Sequence, residues 1–189
     1  AIAIFFYVGV EVGIPNIANL YMSNLDWVGP TVAGTLVGFY WFLMMCGRLV
    51  GGAVGGKVSS KAMLSTVCTV AIVFVLAIMF IPETVKVTVP VANVEVPLSM
   101  MFMFLCGLCT SVMWGAIFNL AAEGLGKYTP AASGIFMALV CGGGILPFIQ
   151  NGVVDITGDY LTSYWVIILG MGYMLFYALI GSKVTKRAD

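Results

Sequence analysis

The side chain of this chain best placed to do chemistry is Glu11, a carboxylate in the middle of the first apolar stretch, residues 1–21. At 1.5 Å of rise per residue, a helix places it roughly 15 Å from its start, near the midplane of a bilayer core roughly 30 Å thick. A charge there costs at least ~2.5 kcal/mol unless it faces protein or water. We therefore predict that Glu11 belongs to a functional site, with a purely structural contact between helices as the alternative.

Amides and aromatic rings accompany this carboxylate inside the apolar stretches. Such groups hydrogen-bond hydroxyls or stack on the C–H faces of a sugar ring, which suits a site for a neutral polyol. The predicted substrate-binding residues are Glu11, Asn16, Asn19, Tyr40, Trp41, Met113, Trp114, Asn119, Gln150 and Asn151. For each amide taken alone, a hydrogen bond between helices worth about 0.6–2 kcal/mol explains the residue equally well.

Two further groups of residues suggest movement. Arg48 and Glu123 fall near the ends of two apolar stretches on the same predicted side of the membrane, where an ion pair would lock the helix ends together. Two solvated end charges are the alternative. A glycine run followed by proline interrupts the fifth stretch, and the predicted hinge residues are Gly142, Gly143, Gly144 and Pro147. Such interruptions are tolerated where the freed backbone lines a cavity or packs on a neighbour, so a packing kink explains them as well.

The composition defines the class of protein that holds these residues. The chain is 61% hydrophobic and only 8% charged, whereas about 25% of the residues of a soluble domain are charged. It is therefore predicted to be an integral membrane protein. The formal net charge is zero, so nothing favours nucleic acid as a partner. Histidine is absent, which removes Ser-His catalysis and histidine-ligated metals, and neither an enzyme nor a metal site nor a cofactor is predicted.

Six apolar stretches are each close to the ~20 residues that a transmembrane helix needs. They cover residues 1–21, 30–56, 61–81, 98–122, 130–153 and 162–182. Of the eight Lys and Arg residues, all but Lys86 would lie on one side of the membrane, namely Arg48, Lys57, Lys61, Lys127, Lys183, Lys186 and Arg187. The positive-inside rule makes this side cytoplasmic, so both ends of the chain are predicted to be cytoplasmic.

The third connection divides the chain into two groups of three spans. Residues 82–97 alternate valine with polar side chains, which predicts an external loop that could form a short β-hairpin with its turn at 90–93. The groups, residues 1–81 and 98–182, have nearly equal length, and residues 183–189 form a tail. Three-span units repeated across a membrane are inverted in topology. The predicted fold class is an all-α membrane protein with six transmembrane helices in two inverted three-helix repeats.

Several short motifs in these spans resemble the C-terminal half of the major facilitator superfamily. They are Phe6-Tyr-Val-Gly-Val-Glu11-Val, Gly47-Arg48-x-x-Gly51, Met113-Trp114-x-Ala116-Ile117-Phe118, Gly124-Leu-Gly126, Ala132-Ser-Gly134 and Gly142-Gly-Gly-Ile-Leu-Pro147. The likeness is closest to the fucose–galactose–glucose:proton symporter branch, particularly its bacterial glucose/galactose permeases. It covers nearly the whole chain but only six of the twelve helices of that family.

This resemblance implies a sugar path between two six-helix halves, reached alternately from each side of a bacterial plasma (inner) membrane. The first, second, fourth and fifth spans would correspond to helices 7, 8, 10 and 11, and helices 7 and 10 would line the path. The expected partners are a neutral hexose, the lipid bilayer and an N-terminal six-helix half, which would carry the proton-coupling acids. The chain is therefore expected to be part of a longer protein. Gly115 and Asn119 stand where the glucose permeases tend to have proline, and Glu11 stands where the fucose symporter has Gln.

Other functions stay open at this point. The chain could belong to a transporter of another substrate, although an anion site should show a basic residue at mid-depth. By their positions in the sequence no Arg or Lys falls at mid-depth, which disfavours such a site. The chain could also be a six-span sensor or assembly protein that transports nothing. An intramembrane enzyme is the weakest alternative because histidine is absent. The leading prediction is half of a symporter that imports a neutral hexose with protons as the coupling ion.

Overall fold

The first three spans are unbroken helices in the computed structural model, which describes residues 1–89 and 93–183. They are α1 (Ile2–Ser23), α2 (Gly29–Val54) and α3 (Ser60–Phe80). Pro30 stands in the first turn of α2, where its missing N–H has no helical partner to lose. Ser59 caps α3 by accepting a hydrogen bond from the amide of Ala62 at 3.2 Å.

A two-stranded antiparallel hairpin follows α3. Its strands are β1 (Lys86–Val89) and β2 (Val94–Pro97), paired in a register that sets Lys86 opposite Pro97. Val96 is buried while Glu95 is exposed, because successive side chains of a strand point to opposite faces. Of the predicted turn, residues 90–92 lie outside the described residues, and so do residues 184–189 of the predicted tail.

Two of the last three spans are interrupted. The fourth consists of α4 (Met101–Ser111) and α5 (Met113–Ala122), separated at Val112. The fifth consists of α6 (Thr129–Leu139) and α7 (Gly142–Thr157), with a break at 140–141. The sixth, α8 (Tyr164–Phe176), ends in a π-helical turn, Tyr177–Gly181. Within the described ranges there are six helical segments long and apolar enough to cross a membrane, which confirms the predicted number of spans.

Helix α1 lies at the centre and packs against α2, α7 and α8. Glycines on both α1 and α7 allow the closest of these approaches. A Cβ added at Gly9 would stand 2.6 Å from Cδ2 of Leu146, and one added at Gly142 would meet the carbonyl of Phe5. Gly143 faces Val8, whereas no atom stands within 4 Å of a Cβ at Gly144. Two residues of the predicted hinge therefore pack on α1, and the break in the span precedes all of them.

The two ends of the helical unit differ in charge and in the contacts that join the chain segments at each end. One end, here called the hairpin end, carries β1 and β2, where the Tyr21 hydroxyl donates to Oε2 of Glu83 at 2.9 Å. The other, here called the basic end, carries the lysines Lys57, Lys61, Lys127 and Lys183. There Nζ of Lys61 donates to the carbonyl of Leu179 at 2.9 Å, which joins the start of α3 to the end of the last span.

Candidate substrate site

A proline shapes the turn of α1 that carries Glu11. Pro15 lies inside the helix and has no N–H, so the carbonyl of Glu11, four residues earlier, has no amide partner in the helix. The hydroxyl of Tyr40 on α2 donates to this carbonyl at 3.0 Å. On α8 the hydroxyl of Tyr164 donates to the neighbouring carbonyl of Ile14 at 2.8 Å. A buried unpaired carbonyl would be costly, and the contact with Tyr40 lets α1 continue through its proline.

The carboxylate of Glu11 forms an ion pair with Arg48 of α2. Nη2 of Arg48 lies 2.7 Å from Oε1 of Glu11, within the range of a charge-assisted hydrogen bond. The Glu11 side chain is 12% exposed and that of Arg48 is 55% exposed. The acid is thus held inside the helical unit, while its partner remains open to the space beside it.

This ion pair stands on the wall of a cavity of about 740 Å³. The volume falls in the range of small-molecule sites, roughly 300–1,000 Å³. Polar lining comes from Glu11, Arg48, Ser60, Ser111 and Asn119, and Trp114 adds an aromatic face. Since Gly55 directly follows α2 and Ser60 begins α3, the cavity extends from the middle of α1 to the basic end.

Two helix interruptions lie on the same wall. Val112, between α4 and α5, and Val140, between α6 and α7, both line the cavity. Irregular backbone at membrane depth is tolerated where it lines a cavity or is buried in protein. Glycines of α2 make room for the first interruption, because a Cβ at Gly47 would meet Ser111 and one at Gly51 would meet Val112.

An aromatic pair connects α1 to the broken fourth span beside the ion pair. The rings of Tyr7 and Trp114 pack edge to face with their centroids 5.9 Å apart. The Tyr7 hydroxyl is buried within reach of both the Glu11 and the Arg48 charge, yet it has no hydrogen-bond partner in the described structure. Trp114 is only half-buried, so part of its ring faces the cavity.

The structure brings together three of the predicted substrate-binding residues. Glu11, Trp114 and Asn119 line the one cavity, and Asn119 is exposed there with Nδ2 3.4 Å from Oγ of Ser60. Their convergence could not be read from a single helix, because they come from α1 and α5. Whether they bind substrate stays a prediction.

The other predicted residues lie away from the cavity wall. Tyr40, Met113 and Gln150 are fully buried, so their side chains face neighbouring helices in this conformation. Both amide atoms of Gln150 lack a hydrogen-bond partner within the part of the chain that the structure describes. Asn151 donates to the carbonyl of Pro147 in its own helix at 2.8 Å, the local contact that competes with any external ligand.

Three more predicted residues occupy partly open positions. Asn16 and Asn19 are half-buried on the hairpin-end half of α1, and Oδ1 of Asn19 is buried without a described partner. Trp41 is 42% exposed and does not line the cavity. It lies on the same side of α2 as Arg48 but toward the hairpin end, since seven residues make nearly two full helical turns.

Arg48 pairs with Glu11 in this conformation, so the predicted ion pair between Arg48 and Glu123 is not formed here. The arginine is also a basic group at mid-depth, where the sequence pattern placed none. A helical side chain points back toward the start of its own helix, and α2 starts at the hairpin end. Arg48 therefore reaches toward mid-depth and Glu11, away from the basic end. Glu123 lies beyond the end of α5, exposed, beside a separate cavity of about 380 Å³ that Lys183 also lines.

Sequence reasoning missed the small residues that shape this cavity. They are Gly51, Gly52, Gly55, Ser60, Ser111 and Val112. The glycine spacing in the second span signals close helix packing, but it does not say which helix approaches. No cluster of three or more His, Cys, Asp or Glu side chains is placed to hold a metal within residues 1–89 and 93–183.

Six apolar helices around a polar cavity that reaches one end of the helical unit define an integral membrane protein of the transporter type. Residues 1–148 match the family described as Major Facilitator Superfamily. The chain belongs to this superfamily of transporters, and it is not an enzyme.

Three curated relatives are similar to this chain over nearly its whole length. Two "Glucose/galactose transporter" proteins, from Brucella abortus biovar 1 (strain 9-941) and Brucella abortus (strain 2308), are each 35% identical over 97% of this chain and 42% of their own length. A protein of Helicobacter pylori (strain ATCC 700392 / 26695) named "Putative glucose/galactose transporter" is 29% identical over 100% of this chain and 44% of its length. The chain thus spans less than half of these relatives. No solved structure matches it significantly.

Proposed function

We propose that the chain is the C-terminal half of a secondary transporter that imports a neutral hexose by proton-coupled alternating access. The observation that carries this proposal is the convergence of Glu11, Arg48, Trp114 and Asn119 on one cavity of about 740 Å³. The names of the relatives, which give glucose and galactose, support the substrate class. The remaining wall of the sugar path would come from the N-terminal six-helix half.

The charge balance of the cavity favours an uncharged substrate. Arg48 is neutralised by Glu11 at 2.7 Å, so an anion would have to compete with a carboxylate already in place. A sugar does not need to displace either charge. Its hydroxyls can donate to the second carboxylate oxygen of Glu11 and accept from the guanidinium, while Trp114 stacks on its C–H face. Asn119 offers one donor and one acceptor at the mouth of the cavity.

The basic end is proposed to face the cytoplasm, by the positive-inside rule. The cavity reaches that end, so the described conformation would be open to the inside. The outward-open state requires the basic end to close and the hairpin end to part. Two inverted three-helix repeats, residues 1–81 and 98–182, would rock against the missing half as one unit.

Uptake by the full-length protein tests the proposal. In proteoliposomes with an inward proton gradient, labelled glucose or galactose should accumulate, and a protonophore should abolish the accumulation. Trp114→Ala should raise the half-saturation concentration about tenfold, since an aromatic contact of this kind is worth about 1.5 kcal/mol. Trp165→Ala is the matched control, because Trp165 is 49% exposed on α8 and does not line the cavity. Absence of uptake for every neutral sugar would refute the proposal.

An isosteric substitution separates sugar binding from proton coupling. Glu11→Gln removes the charge but keeps the shape and one acceptor oxygen. If Glu11 only binds sugar, affinity falls and the proton gradient still drives accumulation, with the coupling acids in the other half. If Glu11 carries the proton, exchange of sugar persists while gradient-driven accumulation is lost. A change of less than about twofold in both quantities would make Glu11 structural.

A further inference from the structure

Tyr40 contacts the one carbonyl of α1 that Pro15 deprives of its amide partner. In a regular helix the N–H of residue 15 would donate to the carbonyl of residue 11. Proline has no such hydrogen, and its ring also pushes that carbonyl off the helix axis. The Tyr40 hydroxyl, fully buried, lies 3.0 Å from the Glu11 carbonyl and donates to it. The hydroxyl stands where the missing amide hydrogen would act.

The surroundings of Tyr40 hold its hydroxyl at this point. Oγ1 of Thr110 on α4 lies 3.3 Å from Oη of Tyr40. A tyrosine hydroxyl has one proton, so while Tyr40 donates to Glu11 it can only accept from Thr110, whose own proton is shared with the carbonyl of Gly107 at 3.1 Å. On the same helix, a Cβ at Gly107 would stand 2.8 Å from the Tyr40 carbonyl. The glycine lets α2 and α4 approach closely, and the tyrosine is clamped between α1 and α4.

Helix α2 therefore holds Glu11 at two atoms. Tyr40 binds its carbonyl and Arg48 binds its carboxylate, from positions about two helical turns apart on α2. The contact with Tyr40 fixes the height and rotation of this turn of α1. This placement keeps the carboxylate of Glu11 within reach of Arg48. If the carbonyl is released, the turn is free to tilt at Pro15, and the carboxylate moves relative to Arg48 and the cavity.

We propose that Tyr40 is a positioning residue that replaces the amide hydrogen missing at Pro15 and thereby holds the Glu11 carboxylate in the cavity. This differs from a direct role in substrate binding, for which the tyrosine is too deeply buried. The consequence for transport rests on the proposed function. The consequence for the backbone of α1 and for the environment of Glu11 does not.

A double-mutant cycle in the full-length protein tests the proposal. Pro15→Ala restores the amide hydrogen, so the carbonyl of Glu11 gains an intrahelical donor and Tyr40 becomes dispensable. Tyr40→Phe alone should raise the half-saturation concentration for sugar about fivefold, the factor that the loss of one hydrogen bond of about 1 kcal/mol produces. In the Pro15→Ala background, Tyr40→Phe should change the half-saturation concentration by less than about twofold. The maximal rate per folded transporter should change less than the affinity in both backgrounds.

A second readout does not depend on sugar transport. A hydrophobic carbodiimide modifies carboxyl groups inside the membrane, and mass spectrometry reads the yield at Glu11. Tyr40→Phe should raise that yield about fivefold, because a displaced carboxylate is less well paired with Arg48. In the double variant with Pro15→Ala, the labelling yield at Glu11 should lie within about twofold of the yield in the Pro15→Ala single variant.

Tyr164 supplies the matched control. It is also fully buried, and it also donates to a carbonyl of α1, that of Ile14, at 2.8 Å. In a regular helix that carbonyl pairs with the amide of residue 18, which is not a proline, so Pro15 does not free it. The effect of Tyr164→Phe should therefore be the same with and without Pro15→Ala.

The outcomes separate the two proposals. Equal effects of Tyr40→Phe in both backgrounds, or no effect of Tyr40→Phe on carbodiimide labelling, would overturn the positioning role. If Tyr40→Phe fails to fold, Pro15→Ala must restore folding, and its failure to do so would overturn the role equally. If the wild-type protein transports no neutral sugar, the proposed function fails, and the labelling cycle still decides the role of Tyr40.

Discussion

The two walls of the cavity are built in opposite ways. The wall formed by α1 and α2 consists of unbroken helices joined by an ion pair and by a tyrosine–carbonyl contact. The facing wall, formed by the fourth and fifth spans, is interrupted at Val112 and Val140, and its residues on the cavity are uncharged, among them Trp114 and Asn119. The charged groups thus lie on the continuous wall and the backbone breaks on the interrupted one.

The difference between the walls indicates that one wall places chemical groups and the other allows movement. A helix with all its backbone bonds made resists bending, and even the proline of α1 is compensated by Tyr40. An interrupted helix can change its angle at the interruption with little loss of backbone bonding. We infer that the α1–α2 wall holds the charged groups of the site in place, while the interrupted wall, which carries Trp114 and Asn119, changes shape during transport.

The largest effect is expected from removing one charge of the continuous wall. Arg48→Ala leaves the mostly buried Glu11 carboxylate without a partner, at a cost of about 2 kcal/mol once the exposure of the arginine is allowed for. Sugar uptake should fall at least about tenfold and thermal stability in detergent should drop. Glu11→Gln added to Arg48→Ala should recover the stability but not the uptake. Wild-type uptake by Arg48→Ala would show that the pair does not belong to the site.

An effect on stability, without the loss of a charge from the site, is expected where the interrupted wall is anchored to α1. Gly142→Ala places a methyl group against the backbone of Phe5, which cannot rotate away, so α7 must shift at a cost of about 2 kcal/mol. Gly144→Ala is the control, because its methyl group meets no atom within 4 Å. Thermal unfolding of the full-length protein should distinguish the two. Equal midpoints would mean that the contact between α1 and α7 is looser than described.

The interruption at Val112 should respond to a still milder change. A methyl group at Gly51 of α2 would press on the Val112 side chain, which can adjust, so the cost should be about 1 kcal/mol. We expect Gly51→Ala to slow transport about fivefold with little change in affinity. Val112→Ala in the same chain should restore the rate, since it removes the methyl group that clashes. Gly52→Ala, also on the cavity wall but in open space, should leave the rate unchanged.

The smallest effect is expected outside both walls, in the loop before the last span. Burial tends to raise the pKa of Asp159, but hydrogen bonds from the Thr162 side chain and the amides of Leu161 and Thr162 outweigh it and lower the pKa below its usual value. A lowered pKa stabilises the fold above about pH 3.9, the unfolded value, and this stability is lost as pH falls through the lower folded value. Asp159→Asn should therefore flatten the decline of thermal stability with acid. A decline equal to that of the wild type would assign the acid sensitivity to other groups.

The candidate site could be predicted from the sequence only in part. Glu11 was found because a carboxylate in an apolar run has few reasons to be there. Trp114 and Asn119 were found because their types suit a sugar. The same reasoning listed Tyr40 with them, although its hydroxyl is used up inside the helical unit. Residue type says what a side chain can bind, but the packing around it decides which partner it has.

The pairing of Arg48 shows the same limit. Its distance along the chain from the end of the second span suggested a partner at that end, and Glu123 was the acid available there. The partner is Glu11, on another helix, because the arginine side chain points back along α2 toward mid-depth. Which acid pairs with Arg48 depends on how α1 and α2 are rotated against each other. The periodicity of either helix alone does not define that rotation.

The membrane class, the number of spans and the costly charge at Glu11 were determined by the sequence by itself, because each follows from the free energy of placing a side chain in hydrocarbon. That energy depends on residue type and on segment length alone. The tertiary structure was needed for the partner of Glu11, for the replacement of the Pro15 hydrogen bond by Tyr40, and for the contrast between the two cavity walls. These depend on which helices touch and at what rotation, and contacts between helices distant in the chain are decided by packing.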